Sequence, residues 1–139
     1  MYIPARHFHR DRVLEPALLV RYSLKTVCLK KSDIPFFSSV ELADRLFERM
    51  KGLIGRRSLP VGRAILLRPC NSIHTMLMRF HIDVIFLNKN GEVLRIVKDL
   101  PPCRFAFGGK NARSALEMKT GWFDWSTLCI GDELAVESE

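Results

Sequence analysis

Ile82-Asp83-Val84-Ile85-Phe86-Leu87-Asn88-Lys89-Asn90-Gly91-Glu92-Val93-Leu94-Arg95-Ile96-Val97 is the stretch that decides the fold class. Two short apolar runs rich in β-branched residues, Ile82 to Leu87 and Val93 to Val97, flank Asn90-Gly91. A type I′ turn needs positive φ at its central residues, and Asn-Gly supplies it at little cost, so the segment predicts a β-hairpin. Strand signals continue on both sides. Ala64 to Leu67 and Ile73 to Met78 lie before the hairpin, Ala115 to Met118 and Leu134 to Val136 after it, each bounded by polar, Gly or Pro breaks. Leu100-Pro101-Pro102 and Gly108-Gly109 read as loops, Gly121 and Ile130-Gly131-Asp132 as turns.

Toward the N-terminus, Leu18 to Cys28 alternates enough to be a strand, and Lys30 to Pro35 breaks it. Val40, Ala43, Phe47, Met50 and Ile54 then recur at spacings of three and four, which predicts a helix over Val40 to Ile54. Ser38 with Glu41 has the capping-box form for its start. Gly55 marks its stop, and Arg56 and Arg57 sit where positive charge suits a helix C-terminus. The expected architecture is mainly β, within the α+β class: a compact antiparallel sandwich or barrel with one helix from the N-terminal half packed on it.

With 139 residues, 47% of them hydrophobic, the chain suits a single domain, a basic flexible lead-in over residues 1–17 and one globular unit over 18–139. Its net charge of +7 comes from 22 Lys and Arg against 15 Asp and Glu. The excess is concentrated in residues 1–31 and 59–115, and residues 116–139 are acidic. Because the cations fall singly rather than in a block, a solvated surface accounts for them better than a nucleic-acid footprint. The four cysteines form no C-x-x-C pair. Together with the lack of an uninterrupted apolar leader or a membrane-length apolar run, they make reduced thiols and a cytoplasmic protein the expectation.

The reactive groups concentrate in Cys70-Asn71-Ser72-Ile73-His74-Thr75-Met76-Leu77-Met78-Arg79-Phe80-His81-Ile82-Asp83. On an extended chain His74, Met76 and Met78 share a face, a soft donor set. Ordinary core methionines explain it more economically, so no metal or cofactor is expected. Asp83 sits between Ile82 and Val84, and Glu117 between Leu116 and Met118. A carboxylate in such a setting must be paired, hydrogen-bonded or placed at a rim, because burying it alone is costly. No P-loop, nucleophile elbow or dinucleotide fingerprint occurs.

Arg49-Met50-Lys51-Gly52-Leu53-Ile54-Gly55-Arg56, Ser72-Ile73-His74-Thr75, Met78 and Ile82-Asp83-Val84-Ile85-Phe86-Leu87 with Gly91, followed by Leu116-Glu117, Gly121 and Gly131-Asp132, appear in this order. In that pattern the chain resembles domain-of-unknown-function family 192, also called uncharacterised protein family 0127, from about residue 18 to residue 136. The resemblance implies a small, mainly β fold of sandwich or barrel type with a packed helix, and no assigned reaction. Many members carry Trp-Met-Lys-Asn and a Pro where this chain has His74-Thr75-Met76-Leu77 and His81.

The leading expectation is a non-catalytic binding or accessory domain for a small molecule or a protein. Its pocket would lie near the His74–Asp83 segment, with His74, Met78, Asp83, Arg104 and Glu117 as candidate ligand contacts and Arg56 and Arg79 behind them. The alternative is a small hydrolase or isomerase using Asp83 or Glu117 as acid or base. Binding of nucleic acid or another anion ranks third.

Overall fold

Nine strands carry the fold in the computed structural model, which describes Leu24–Leu29, Ile34–Ala43 and residues 58–138. In chain order they are β1 (Leu24–Leu29), β2 (Ile34–Ala43), β3 (Arg63–Leu67), β4 (Ser72–His74), β5 (Ile82–Leu87), β6 (Val93–Leu100), β7 (Phe105–Phe107), β8 (Ser114–Lys119) and β9 (Leu134–Ser138). Seven form one sheet in the order β6-β5-β8-β3-β2-β1-β9, and β4 pairs with β7 as a separate two-stranded ribbon. All pairs in the large sheet are antiparallel except β2 with β3, so the sheet is mixed rather than purely antiparallel.

The large sheet curls until its two edge strands meet at one end. There the Val93 N–H donates to the Asp132 carbonyl (2.8 Å) and the Leu134 N–H to the Gly91 carbonyl (2.8 Å), around a single bridge between Glu92 and Glu133. No ladder between β6 and β9 follows this contact, so the barrel is not closed.

Burial on both faces explains the continuous apolar runs. Ala64, Leu66, Ile85, Leu87, Leu116 and Met118 face the inside of the curl with Val93, Leu128 and Leu134, and Trp122, Phe123 and Trp125 pack against them. Ile65, Leu67, Ile82, Val84, Phe86 and Ala115 face outward, yet Leu59, Ile73, Met78 and Ala106 cover them. A strand buried on both sides needs no polar alternation, and β5 is buried at all six positions.

The β5–β6 hairpin forms as expected, with a different turn. Only Gly91 has positive φ (81°), and Asn90 does not. The Gly91 N–H donates to the Asn88 carbonyl (3.0 Å) and the Asn88 N–H to the Glu92 carbonyl (3.0 Å), which makes a three-residue loop with Gly91 as the bulge. The Asn88 side chain favours this form by accepting from the N–H groups of Asn90 (2.9 Å) and Glu92 (3.0 Å).

The helix expected over Val40 to Ile54 is not found where it should begin. Val40 to Ala43 end β2, and Ser38 and Glu41, the supposed cap, both lie within that strand. Ladder bonds to β1 on one side and β3 on the other outweigh the three-and-four spacing, a case of tertiary context overriding local pattern. The rest of that stretch and residues 1–17 lie outside the described residues. A 3-10 turn, Trp125–Thr127, is the one helical element among the described residues, and the Asp124 carboxylate caps it by accepting from the Ser126 N–H (3.0 Å).

Candidate functional site

The β4–β7 ribbon lies on the outward face of the sheet and presents two different sides. Ile73 and Ala106, the middle residues, are buried against β3, β5 and β8. Their neighbours alternate outward, so His74 and Ser72 on β4 stand beside Phe105 and Phe107 on β7. The approach to the sheet is close at the end of the ribbon, where a side chain at Gly108 would strike the Phe86 ring.

Thr75, fully buried, locks the other end. Its hydroxyl donates to the Pro101 carbonyl (2.7 Å) and accepts from the Arg104 N–H (2.9 Å). Its backbone accepts from the N–H groups of Cys103 (3.0 Å) and Met78 (3.2 Å) and donates to the Arg104 carbonyl (2.9 Å). The Met76-Leu77 tip and the Arg104 backbone are thereby held at one end of the ribbon.

Six large hydrophobic side chains are exposed among the described residues, and four belong to this ribbon and its tip: Met76 (41%), Leu77 (74%), Phe105 (64%) and Phe107 (61%). Apolar side chains grouped this way on a surface mark an interaction site more often than scattered ones. The His74 and Phe105 rings are 6.3 Å apart at a tilt of 57°. Arg95 donates from Nη1 to the Phe107 carbonyl (2.6 Å), and Arg104 precedes Phe105 with its side chain exposed.

Of the residues singled out by sequence, His74 and Arg104 meet at this ribbon. Met78 belongs to the apolar layer beneath it, and Arg79 is exposed beyond the tip. Arg56 lies outside the described residues. Asp83 and Glu117 do not come together. Asp83 is in register with Met118 and Val84 with Glu117, so the two carboxylates project to opposite faces of the sheet.

Asp83, on β5, has a structural task toward the edge strand β6. Between Ile82 and Val84 the partner strand contains an extra residue, and the displaced Asp99, with φ of 55°, turns its N–H away from the ladder. Asp83 Oδ1 accepts from that N–H (2.7 Å) and from the Thr120 hydroxyl (2.7 Å). His81 Nδ1 lies 2.8 Å from the Asp99 carboxylate on the same bulge. Asp83 Oδ2 has no hydrogen-bond partner.

Glu117 faces the outward apolar layer between Ile65 and Val84, and Glu41 stands two strands away on the same face. Burial pushes the Glu117 carboxyl up from 4.5 to about 8. It is therefore largely protonated at neutral pH, a neutral member of the core.

Phe105 and Phe107 escaped the sequence reading, although Arg104-Phe105-Ala106-Phe107 carries the signal: large side chains alternate with a small one, and here the small one faces inward. A concavity of about 290 Å³ opens at the end of the curl. Arg68, Lys89 and Arg113 rim it over Leu66, Leu87 and Leu134, and no carboxylate lines it among the described residues. Among the described residues no three of His, Cys, Asp and Glu approach closely enough to hold a metal ion.

The family model DUF192, described as Uncharacterized ACR, matches residues 27–136. A UPF0127 protein of Thermococcus sibiricus is 34% identical over 104 residues, covering 72% of this chain and 67% of the relative. A UPF0127 protein of Pyrococcus furiosus is 35% identical over 98 residues, covering 68% and 84%. Among solved structures, a putative transcription regulator from Sinorhizobium meliloti superposes with a TM-score of 0.71 at 21% identity, over 84% of this chain and 96% of that one. A protein of unknown function from Novosphingobium aromaticivorans gives 0.69 at 20% identity, over 88% and 94%. These two likenesses concern the fold, and the sequence matches over most of the chain establish that this protein belongs to DUF192, the UPF0127 family.

Proposed function

We propose that this protein is a non-catalytic binding module whose recognition face is the outer side of the β4–β7 ribbon with its Met76-Leu77 tip. The grouping of Met76, Leu77, Phe105 and Phe107 in the open, on a ribbon whose other side is anchored in the core, carries this reading. His74 and Arg104 contribute polar contacts at the same place. Asp83 and Glu117, on opposite faces of the sheet, serve the fold rather than an acid-base pair. A reducing, cytoplasmic setting suits the exposed free thiols of Cys103 and Cys129. Among the described residues no helix is long and apolar enough to cross a membrane.

Thermal unfolding in the presence of three probes tests the reading: a short oligo(dT), a peptide of alternating Glu and Phe, and phosphatidylcholine vesicles containing phosphatidylglycerol. A bound probe stabilises the folded state, by about 2.7 kcal/mol at one hundred times its Kd. At least one probe should stabilise the wild type and lose that effect with Phe105→Ala/Phe107→Ala. Probes that stabilise neither protein, or both equally, would contradict the proposal.

A further inference from the structure

We propose that the partner of this face is single-stranded nucleic acid, an assignment that rests on the binding-module reading above. Charge is the first argument. Residues 66–82 and 100–116, which build the ribbon and its flanks, contain no Asp or Glu, and they carry Arg68, Arg79, Arg104, Lys110 and Arg113. Along the chain these cations are single and scattered. The fold brings Arg104 to one end of the ribbon and Arg95 onto the Phe107 carbonyl, and ties Arg113 beside β4 through its carbonyl, which accepts from the Cys70 N–H (2.8 Å).

Chemistry of the exposed groups is the second argument. Phe105 and Phe107 are on one side of a strand, about 6.6 Å apart along it. Flat rings at that interval give successive unstacked bases one platform each, and a phosphate chain beside them meets the arginines. His74, opposite Phe105, adds a third ring to the first platform.

Size is the third argument. Three residues on each of two strands cover about 10 Å by 10 Å, well below the roughly 800 Å² per partner of a standard protein interface. Two or three nucleotides fit this area. Duplex DNA keeps its bases stacked inside and gains nothing from the rings.

The experiment is fluorescence anisotropy of a labelled short oligo(dT) with the full chain, repeated with a duplex of the same length. Phe105→Ala and Phe107→Ala should each weaken oligo(dT) binding by about tenfold or more, without changing Tm, and Phe107→Trp should bind at least as tightly. With about three phosphates neutralised, the logarithm of affinity should fall against the logarithm of salt with a slope of about −2, roughly a twentyfold loss between about 50 and 200 mM. Arg104→Ala should reduce that slope by about 0.7. Unchanged binding in both Phe variants, or equal affinity for the duplex, overturns the assignment. If oligo(dT) does not bind but the acidic peptide or the anionic vesicles do so through Phe105 and Phe107, the nucleic-acid assignment falls and the recognition face stands. If no probe depends on these rings, both fall.

Discussion

Replacing Glu117 by Gln should remove a specific pH dependence from the stability of this protein. Burial holds the carboxyl's ionisation at about 8 in the folded chain, against its ordinary value of 4.5. Below 4.5 both folded and unfolded states hold the proton, and the favourable contribution of the neutral group is fully present. Between 4.5 and 8 the unfolded chain releases the proton while the fold retains it. The unfolded state then binds fewer protons, so stability falls as pH rises. The slope approaches 1.4 kcal/mol per pH unit, and the loss amounts to about 3 kcal/mol by pH 7 relative to pH 4.5. Above about 8 the folded state loses its proton too and the slope vanishes. Gln is close in shape and never ionises. Urea denaturation of both proteins at a series of pH values gives the difference in unfolding free energy, from which groups that titrate alike in both drop out. The difference should move in favour of the variant by up to about 1.4 kcal/mol per unit between about pH 5 and pH 8, and level off above. Parallel curves for the two proteins would refute the buried, neutral Glu117.

Asp83→Ala leaves the Asp99 N–H and the Thr120 hydroxyl without their shared acceptor, at a cost of about 2–3 kcal/mol. The Asp99 amide should exchange slowly with solvent in the wild type and rapidly in the variant, and unchanged protection would contradict this role of Asp83. Gly91→Ala places a methyl group against the Leu134 carbonyl at a residue with φ of 81°, costing about 1–3 kcal/mol. The Leu134 amide, bonded to the Gly91 carbonyl at the seam between the sheet edges, should lose protection first, and an unchanged Tm would count against the seam.

The strands β5, β6, β8 and β9 are legible in sequence because each is an apolar run long enough to stand out between turn residues. Other features have no such local record. β7 is three residues between loops, and its orientation depends on the tight fit of Ala106 and Gly108 against the sheet. The parallel pairing of β2 with β3 is a tertiary choice, and so is the loss of the helical reading at Val40 to Ala43. Asp83 stands out as a carboxylate in an apolar strand, but its partner is a bulge amide sixteen residues away, which no spacing rule reveals. His74 and Arg104 were visible as chemistry. Phe105 and Phe107 were hidden because aromatic alternation ordinarily signals inward packing, and here the small residue between them takes the core.

The most direct test of the recognition face is the amide spectrum of the full ¹⁵N-labelled chain titrated with oligo(dT) at low salt. The account predicts shifts at His74, Met76, Leu77, Phe105 and Phe107, with Ala64 and Leu116 in the core unmoved, and no such shifts in Phe105→Ala/Phe107→Ala. Shifts confined to the Arg68–Arg113 concavity, or an unperturbed ribbon under saturating oligonucleotide, would contradict it.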